Sequence, residues 1–353
     1  MAIKSLAIKY RPRTFDDVVE QGAIKTILQQ QLEANETKNA YLFCGGAGTG
    51  KTTCARIFAN EINHLTGNPI EMDAASNSSV EDVREIIQQA KTKSLDSEYK
   101  VFIIDECHSI SNTGWQAFLK LLEEPPAKSI FIFCTTDPQK IPKTILSRVQ
   151  RYDFQRISHK GVVDRLTYIL HQEQTEANNY VNIDPAAVDY LAKLADGGMR
   201  DAITMMDKCL AFSAELSLEN VVKALGVADY ETMFALLTHL VLTLDTEKAL
   251  NVIEDIHRSG KDLKQFIKSF TNFVLDINKY ACTKSFDFLE IPLTFEDDVV
   301  GITKNDFLLD RELKLLQVLV NLNRDIKWET SPKAMIEATL MLLCEEFKDD
   351  RTI

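Results

Sequence analysis

The stretch Gly45-Gly46-Ala47-Gly48-Thr49-Gly50-Lys51-Thr52 constrains this chain more than any other. It satisfies G-x-x-x-x-G-K-T. Glycines there let backbone N–H groups curl around phosphate oxygens, and the following helix offers its positive N-terminus. The spacing predicts the setting such a loop requires: a short apolar strand over residues 41–44 and a helix over 52–61. In that setting Lys51 reaches the β- and γ-phosphates, and the Thr52 hydroxyl, followed by Thr53, faces Mg²⁺.

A second segment completes the pattern. Val101-Phe102-Ile103-Ile104 reads as a buried strand whose end presents Asp105 and Glu106. Asp105 would join the Mg²⁺ shell and Glu106 would polarise an attacking water. His108 reads as a structural histidine rather than a ligand. Asp105-Glu106-Cys107-His108 also spells the D-E-x-H box of some helicases, but a helicase needs a second α/β domain.

Further strands are expected over 69–72 and 129–134. Helices are expected over 80–93, capped by Ser78 or Ser79, and over 115–124, stopped by Pro125-Pro126. Strands without polar alternation, separated by helices, indicate a parallel sheet covered on both faces. Beyond residue 158 the spacing turns helical, over 162–174, 185–194, 200–212, 218–225, 230–244, 263–280, 311–323 and 332–347. Residues 285–305 read as a long connection. The expected organisation is an α/β domain over 1–157, a helical domain over 158–226 and a second helical domain over 227–353.

Composition narrows the class. At 353 residues, 45% hydrophobic and 26% charged, the chain can build more than one core. No run approaches 18 apolar residues and no signal-peptide layout opens the sequence, so no membrane partner is expected. Seven cysteines without a C-x-x-C pair suit a reducing cytoplasm. The net charge of −12 divides unevenly: residues 1–157 carry 19 basic and 19 acidic groups, and 158–353 carry 21 and 33. The acidity therefore belongs to the helical part.

Several segments together resemble one family. Tyr10-Arg11-Pro12 with Phe15-Asp16-Asp17-Val18-Val19-Glu20-Gln21 is similar to the N-terminal signature of sliding-clamp loader subunits. So are residues 73–77, 119–126 and 135–142, and the likeness runs on through Gly198-Met199-Arg200-Asp201-Ala202 to Trp328, Ser331 and Pro332. The chain resembles the AAA+ gamma/tau subunits of bacterial DNA polymerase III along essentially its whole length. The fold class this implies is a P-loop AAA+ domain with a parallel sheet sandwiched by helices, then a small helical lid and an all-α collar.

The resemblance also implies roles. Thr136 corresponds to the sensor-1 residue beside the γ-phosphate. Arg148, of Ser147-Arg148, corresponds to the arginine that reaches a neighbouring subunit's ATP site. Arg200 corresponds to the sensor-2 arginine of the lid. Arg11, Pro12, Val18 and Val19 would line the adenine side. The implied ligands are ATP and Mg²⁺. The implied partners are the sliding clamp, other loader subunits in a ring of five, primer-template DNA and DNA polymerase. Hydrolysis would be coupled to opening the clamp and loading it on DNA. A helicase, a branch-migration enzyme and an ATP-binding structural subunit are the alternatives.

Three departures from the family pattern stand out. Residues 60–72 hold no cysteine and only His64, where relatives carry a four-cysteine zinc module, so no zinc is expected. Val149 and Glu20 replace a usual Cys and a usual Gly. The chain ends at Ile353 without the tau extension, so a short gamma-like form, a truncated piece of a longer chain, or a streamlined phage or small-genome loader is expected. For DNA, the expected contacts are Asn77, Ser78, Ser79, Arg84, Asn112 and Thr113, at or near helix N-termini that can hold phosphates through backbone N–H groups. Lys93 and Lys128 would add cationic contacts.

Overall fold

The computed structural model describes residues 5–77, 79–92, 94, 96–177, 182–225, 230–292, 295–304 and 306–349. They fall into two compact units, Met1–Val181 with Leu191–Asp207, and Asn182–Tyr190 with Lys208–Ile353.

The first unit is built on five parallel strands: β1 Ala40–Cys44, β2 Ile70–Asp73, β3 Lys100–Asp105, β4 Ser129–Thr135 and β5 Gln150–Asp153, in the order β2-β3-β4-β1-β5. Alternate side chains of a strand point to opposite faces, so each apolar run feeds two cores. One face gathers Leu42, Phe102, Ile104, Phe131 and Phe133 under Trp115 and Phe118 of helix Asn112–Glu123 and Val83 and Ile86 of helix Val80–Ala90. The other gathers Tyr41, Phe43, Val101, Ile103 and Ile132 under Phe58 and Ile57 of helix Lys51–Ile62 and Leu28 of helix Gly22–Glu33. Because β1 lies inside the sheet, the loop after it emerges beside the ends of β4 and β5. Cys44 pairs with both Thr135 and Asp153.

Helix boundaries follow their caps. Ser79 accepts from the Asp82 N–H while Asp82 bonds back to the Ser79 backbone, a complete capping box. Ser111 accepts from the Gly114 N–H, so the next helix starts at Asn112 rather than at 115.

The second unit is helical. Helix Leu263–Thr283 packs along helix Asp306–Asp325, and helix Thr246–Arg258 along Pro332–Asp349. Phe270, Ile277, Leu319, Ile336, Leu340 and Phe347 are fully buried among them. Residues 285–305, expected as connection, include a short 3₁₀ turn at Phe286–Phe288 and a helix at Glu296–Ile302. Among the described residues no single helix is long and apolar enough to cross a membrane.

Candidate nucleotide site

Residues 45–50 form a loop between β1 and helix Lys51–Ile62. Gly48 holds φ +70°, and a Cβ there would lie 3.0 Å from the Gly198 Cα, so only glycine fits. The Gly48 carbonyl accepts from the Met199 N–H at 3.1 Å, which brings helix Met199–Phe212 to the loop. The Thr49 hydroxyl donates to the Gly46 carbonyl at 2.9 Å. Lys51 spans the loop, its Nζ donating to the Gly45 and Gly46 carbonyls at 2.9 and 2.7 Å. Burial pushes its ammonium below the ordinary lysine value, and nearby Cys134, Glu106 and Asp105 push it back only in part.

The carboxylates stand at the end of β3. Asp105 Oδ2 accepts from the Thr52 hydroxyl at 2.7 Å, and its Oδ1 accepts from the Glu106 N–H at 3.0 Å. A hydroxyl and a carboxylate so placed are hard oxygen donors of the kind Mg²⁺ takes, so these residues fit that ion. Glu106 has left-handed backbone (φ 46°), which turns its side chain toward the end of β4. There Oε2 accepts from the Thr136 hydroxyl at 3.0 Å and lies 3.2 Å from His108 Nδ1. The same ring nitrogen lies 3.1 Å from Thr135 Oγ1. His108 thus serves as a hydrogen-bond neighbour of Glu106.

A cleft of about 440 Å³ opens over this loop. It is lined by Arg11, Pro12, Val18 and Val19 on one side, by Ala47, Gly48, Thr49, Gly50, Lys51, Thr52 and Thr53 below, and by Asp105, Glu106 and Arg200. Gly45, Gly46 and Thr136 do not line it but touch residues that do, Lys51 and Glu106. Arg148 is elsewhere, its guanidinium donating to Glu123 Oε1 at 2.7 Å and to the Thr144 carbonyl at 2.7 Å. Sequence reasoning missed Arg56 and Arg165, which also line the cleft. Arg56 is four residues after Thr52 and forms a two-pronged pair with Glu71 of β2, a helical spacing that could have revealed it. Arg165 carries no local signal.

The expected DNA contacts lie away from the cleft. Asn77 donates to the Asp73 carbonyl at 3.1 Å, and Arg84 lies 3.8 Å from Glu81. The Thr113 and Ser111 hydroxyls are 3.1 Å apart at the start of the helix that opens with Asn112. A Cβ on Gly114 would lie 3.3 Å from Val83, so the first turns of the helices after Ser79 and Ser111 touch. Lys128 pairs with Glu98. Ser78 and Lys93 lie outside the described residues.

Comparison with known proteins adds the lineage. Residues 64–158 match the family described as DNA polymerase III, delta subunit, and 161–215 match the clamp loader subunit ATPase lid domain. Residues 216–292 match domain III of the gamma and tau subunits. The Buchnera aphidicola gamma subunit is 29% identical over 97% of this chain and 98% of its own length. The chain belongs to the gamma/tau family of DNA polymerase III clamp-loader subunits.

Other gamma/tau relatives are longer. The Bacillus subtilis tau subunit is 30% identical over 98% of this chain, and the Haemophilus influenzae tau/gamma subunit 39% identical over 65%. The chain spans 64% of the first and 36% of the second. Among solved structures, a RuvB variant from Thermotoga maritima superimposes with a TM-score of 0.53 at 19% identity, covering 80% of this chain and all of its own. At that identity the likeness speaks for the fold alone.

Proposed function

We propose that this gamma/tau-family protein is the ATPase motor subunit of a DNA sliding-clamp loader, using ATP binding and hydrolysis to open the clamp and load it on primer-template DNA. The observation that carries the reading is the paired contact at the strand ends: Thr52 on Asp105 and Thr136 on Glu106, at one edge of the cleft over Lys51. ATP phosphates would lie on the backbone N–H groups of the loop and against Lys51. Thr52 and Asp105 would hold Mg²⁺, which supplies charge neutralisation on the phosphates. Glu106 would orient the attacking water and accept its proton, with Thr136 fixing the carboxylate. Arg200 would meet the phosphates within the chain.

Arg148, remote from the chain's own cleft, suits a role on a neighbouring subunit's ATP, which makes turnover conditional on a ring, five subunits by family likeness. Clamp, other loader subunits, primed DNA and DNA polymerase are its proposed partners, in the cytoplasm. Asn77, Ser79, Arg84, Asn112 and Thr113 are the proposed DNA contacts, through two touching helix starts. The boundaries 1–157, 158–226 and 227–353 remain our proposed division into ATPase, lid and collar. A structural ATP-binding subunit has no need of this full set.

Binding and single-turnover hydrolysis of Mg·ATP test the site. Lys51→Ala should weaken ATP binding by about tenfold or more, through loss of a buried charge facing phosphate. Glu106→Gln should still bind ATP while hydrolysis falls by about 10²–10⁴. Hydrolysis at the wild-type rate in Glu106→Gln would remove Glu106 from the mechanism. Unwinding of a forked duplex would favour a helicase.

A further inference from the structure

Glu20 and Gln21 are consecutive non-glycine residues in left-handed backbone, with φ 56° and 53°. Such residues cost about 1–2 kcal/mol each and persist only where the surroundings hold them. Gln21 is held by a reciprocal pair: its Nε2 donates to the Gln155 carbonyl at 2.7 Å, and its Oε1 accepts from the Gln155 N–H at 3.2 Å. Glu20 reaches three residues further along the same segment. Its two oxygens accept from the Ser158 N–H at 3.2 and 3.1 Å, and Oε1 also accepts from the Ser158 hydroxyl. That hydroxyl in turn accepts from the Gly161 N–H at 3.1 Å, so Glu20 and Ser158 jointly cap helix His159–Ala177.

Gly161 makes this possible. A Cβ on it would lie 2.7 Å from Glu20 Oε1 and 3.2 Å from Val19 Cγ1. Glycine is otherwise a poor helix former, by up to about 1 kcal/mol against alanine in a helix interior. A glutamate thus stands where the backbone favours glycine, and a glycine stands where the helix disfavours it. The open space at Gly161 is what lets the Glu20 carboxylate seat against the helix start without shifting.

Both strips on one side of the nucleotide cleft adjoin this joint. Val18 and Val19 immediately precede Glu20. Arg165, four residues past Gly161 on the capped helix, lines the cleft and donates to the Tyr10 carbonyl at 3.0 Å, fixing the chain just before Arg11 and Pro12. We infer that Glu20, seated against Ser158 and Gly161, is a positioning residue for the base side of the ATP cleft, setting nucleotide affinity without touching the reacting phosphates. This rests on the reading of the cleft as an ATP site.

The test is Mg·ATP affinity by calorimetry and melting midpoint on the full chain, with turnover read in the loader assembly. Glu20→Gly relieves the left-handed strain while removing the cap, so the midpoint should move little. The affinity should fall about five- to tenfold with the turnover number within about twofold. Glu20→Gln keeps an acceptor for the Ser158 N–H and should recover to within about twofold of wild type. Gly161→Ala should weaken binding as Glu20→Gly does, and the double variant should be no weaker than the worse single one.

Wild-type affinity in Glu20→Gly, or losses that multiply in the double variant, would overturn the inference and leave the ATP site standing. A wild-type protein that binds no ATP would overturn both. If Glu20→Gly does not fold, Glu20→Gln and Gly161→Ala decide the matter in the same way.

Discussion

At the scale of single residues, the arrangement around Glu106 decides what the cleft can do. Its left-handed backbone points the carboxylate at Thr136 and His108, where one oxygen takes the Thr136 hydroxyl at 3.0 Å. Thr136→Val removes that donor and keeps the shape. We predict hydrolysis slower by about 10- to 100-fold with ATP affinity within about twofold, read by single-turnover assay beside equilibrium binding. Equal loss of affinity would mean that Thr136 serves nucleotide binding instead. Lys51, Thr52, Asp105 and Glu106 were legible in the sequence because the loop and the strand end are contiguous segments with fixed spacing. Arg165 was not, because it reaches the cleft from a helix more than 100 residues away in the chain. Tyr10 OH donates to Glu173 Oε1 at 2.6 Å across a similar gap, equally invisible to local pattern.

At the scale of elements, the apolar runs announced β1, β3 and β4 because both faces of each are buried. β5, Gln150–Asp153, escaped notice because Tyr152 is its one buried residue on an edge strand. Helices were found by spacing, while their starts were set by caps at Ser79 and Ser111. The pair Leu263–Thr283 and Asp306–Asp325 holds a feature that spacing hides. Glu312 is buried there, with an oxygen lacking a partner, as is Asn278 Oδ1. Burial raises the Glu312 carboxyl to about 7 from 4.5, moderated by Lys284. The folded state then binds more protons than the unfolded one between these values, so this group's contribution to stability declines as pH rises from about 4.5 to about 7. Carboxylates with lowered values, such as Glu254 and Asp245, act with the opposite sign below their ordinary range and do not compete in that window. Denaturant melts at pH 6 and pH 8 should show Glu312→Gln stabilised at pH 8 by on the order of 2 kcal/mol and flattened in slope. An unchanged slope would mean that Glu312 stays ionised when buried.

At the scale of the whole molecule, the sequence balance and the compact units divide the chain differently. Residues 1–157 are neutral overall and the remainder carries the full −12. The first compact unit keeps the P-loop sheet together with residues 191–207, so Arg200 stands with the loop it faces. Sequence spacing puts a boundary at 158 because strand signals stop there, whereas the compact units group residues by packing. The helix starts proposed to meet DNA belong to the neutral part, where backbone N–H groups can take phosphate without opposing net charge.

A clamp-loading ATPase must couple its turnover to the two proposed partners, clamp and primed DNA. The decisive measurement is steady-state ATP turnover of the loader assembly, with clamp alone, primed DNA alone and both together, for wild type and Arg148→Ala. We predict the highest rate with both present. Arg148→Ala should cut that rate about 10³-fold or more while leaving ATP affinity largely intact. A rate indifferent to clamp and primed DNA, or an Arg148→Ala protein that loses ATP affinity in step with its rate, would contradict the proposed clamp-loading role.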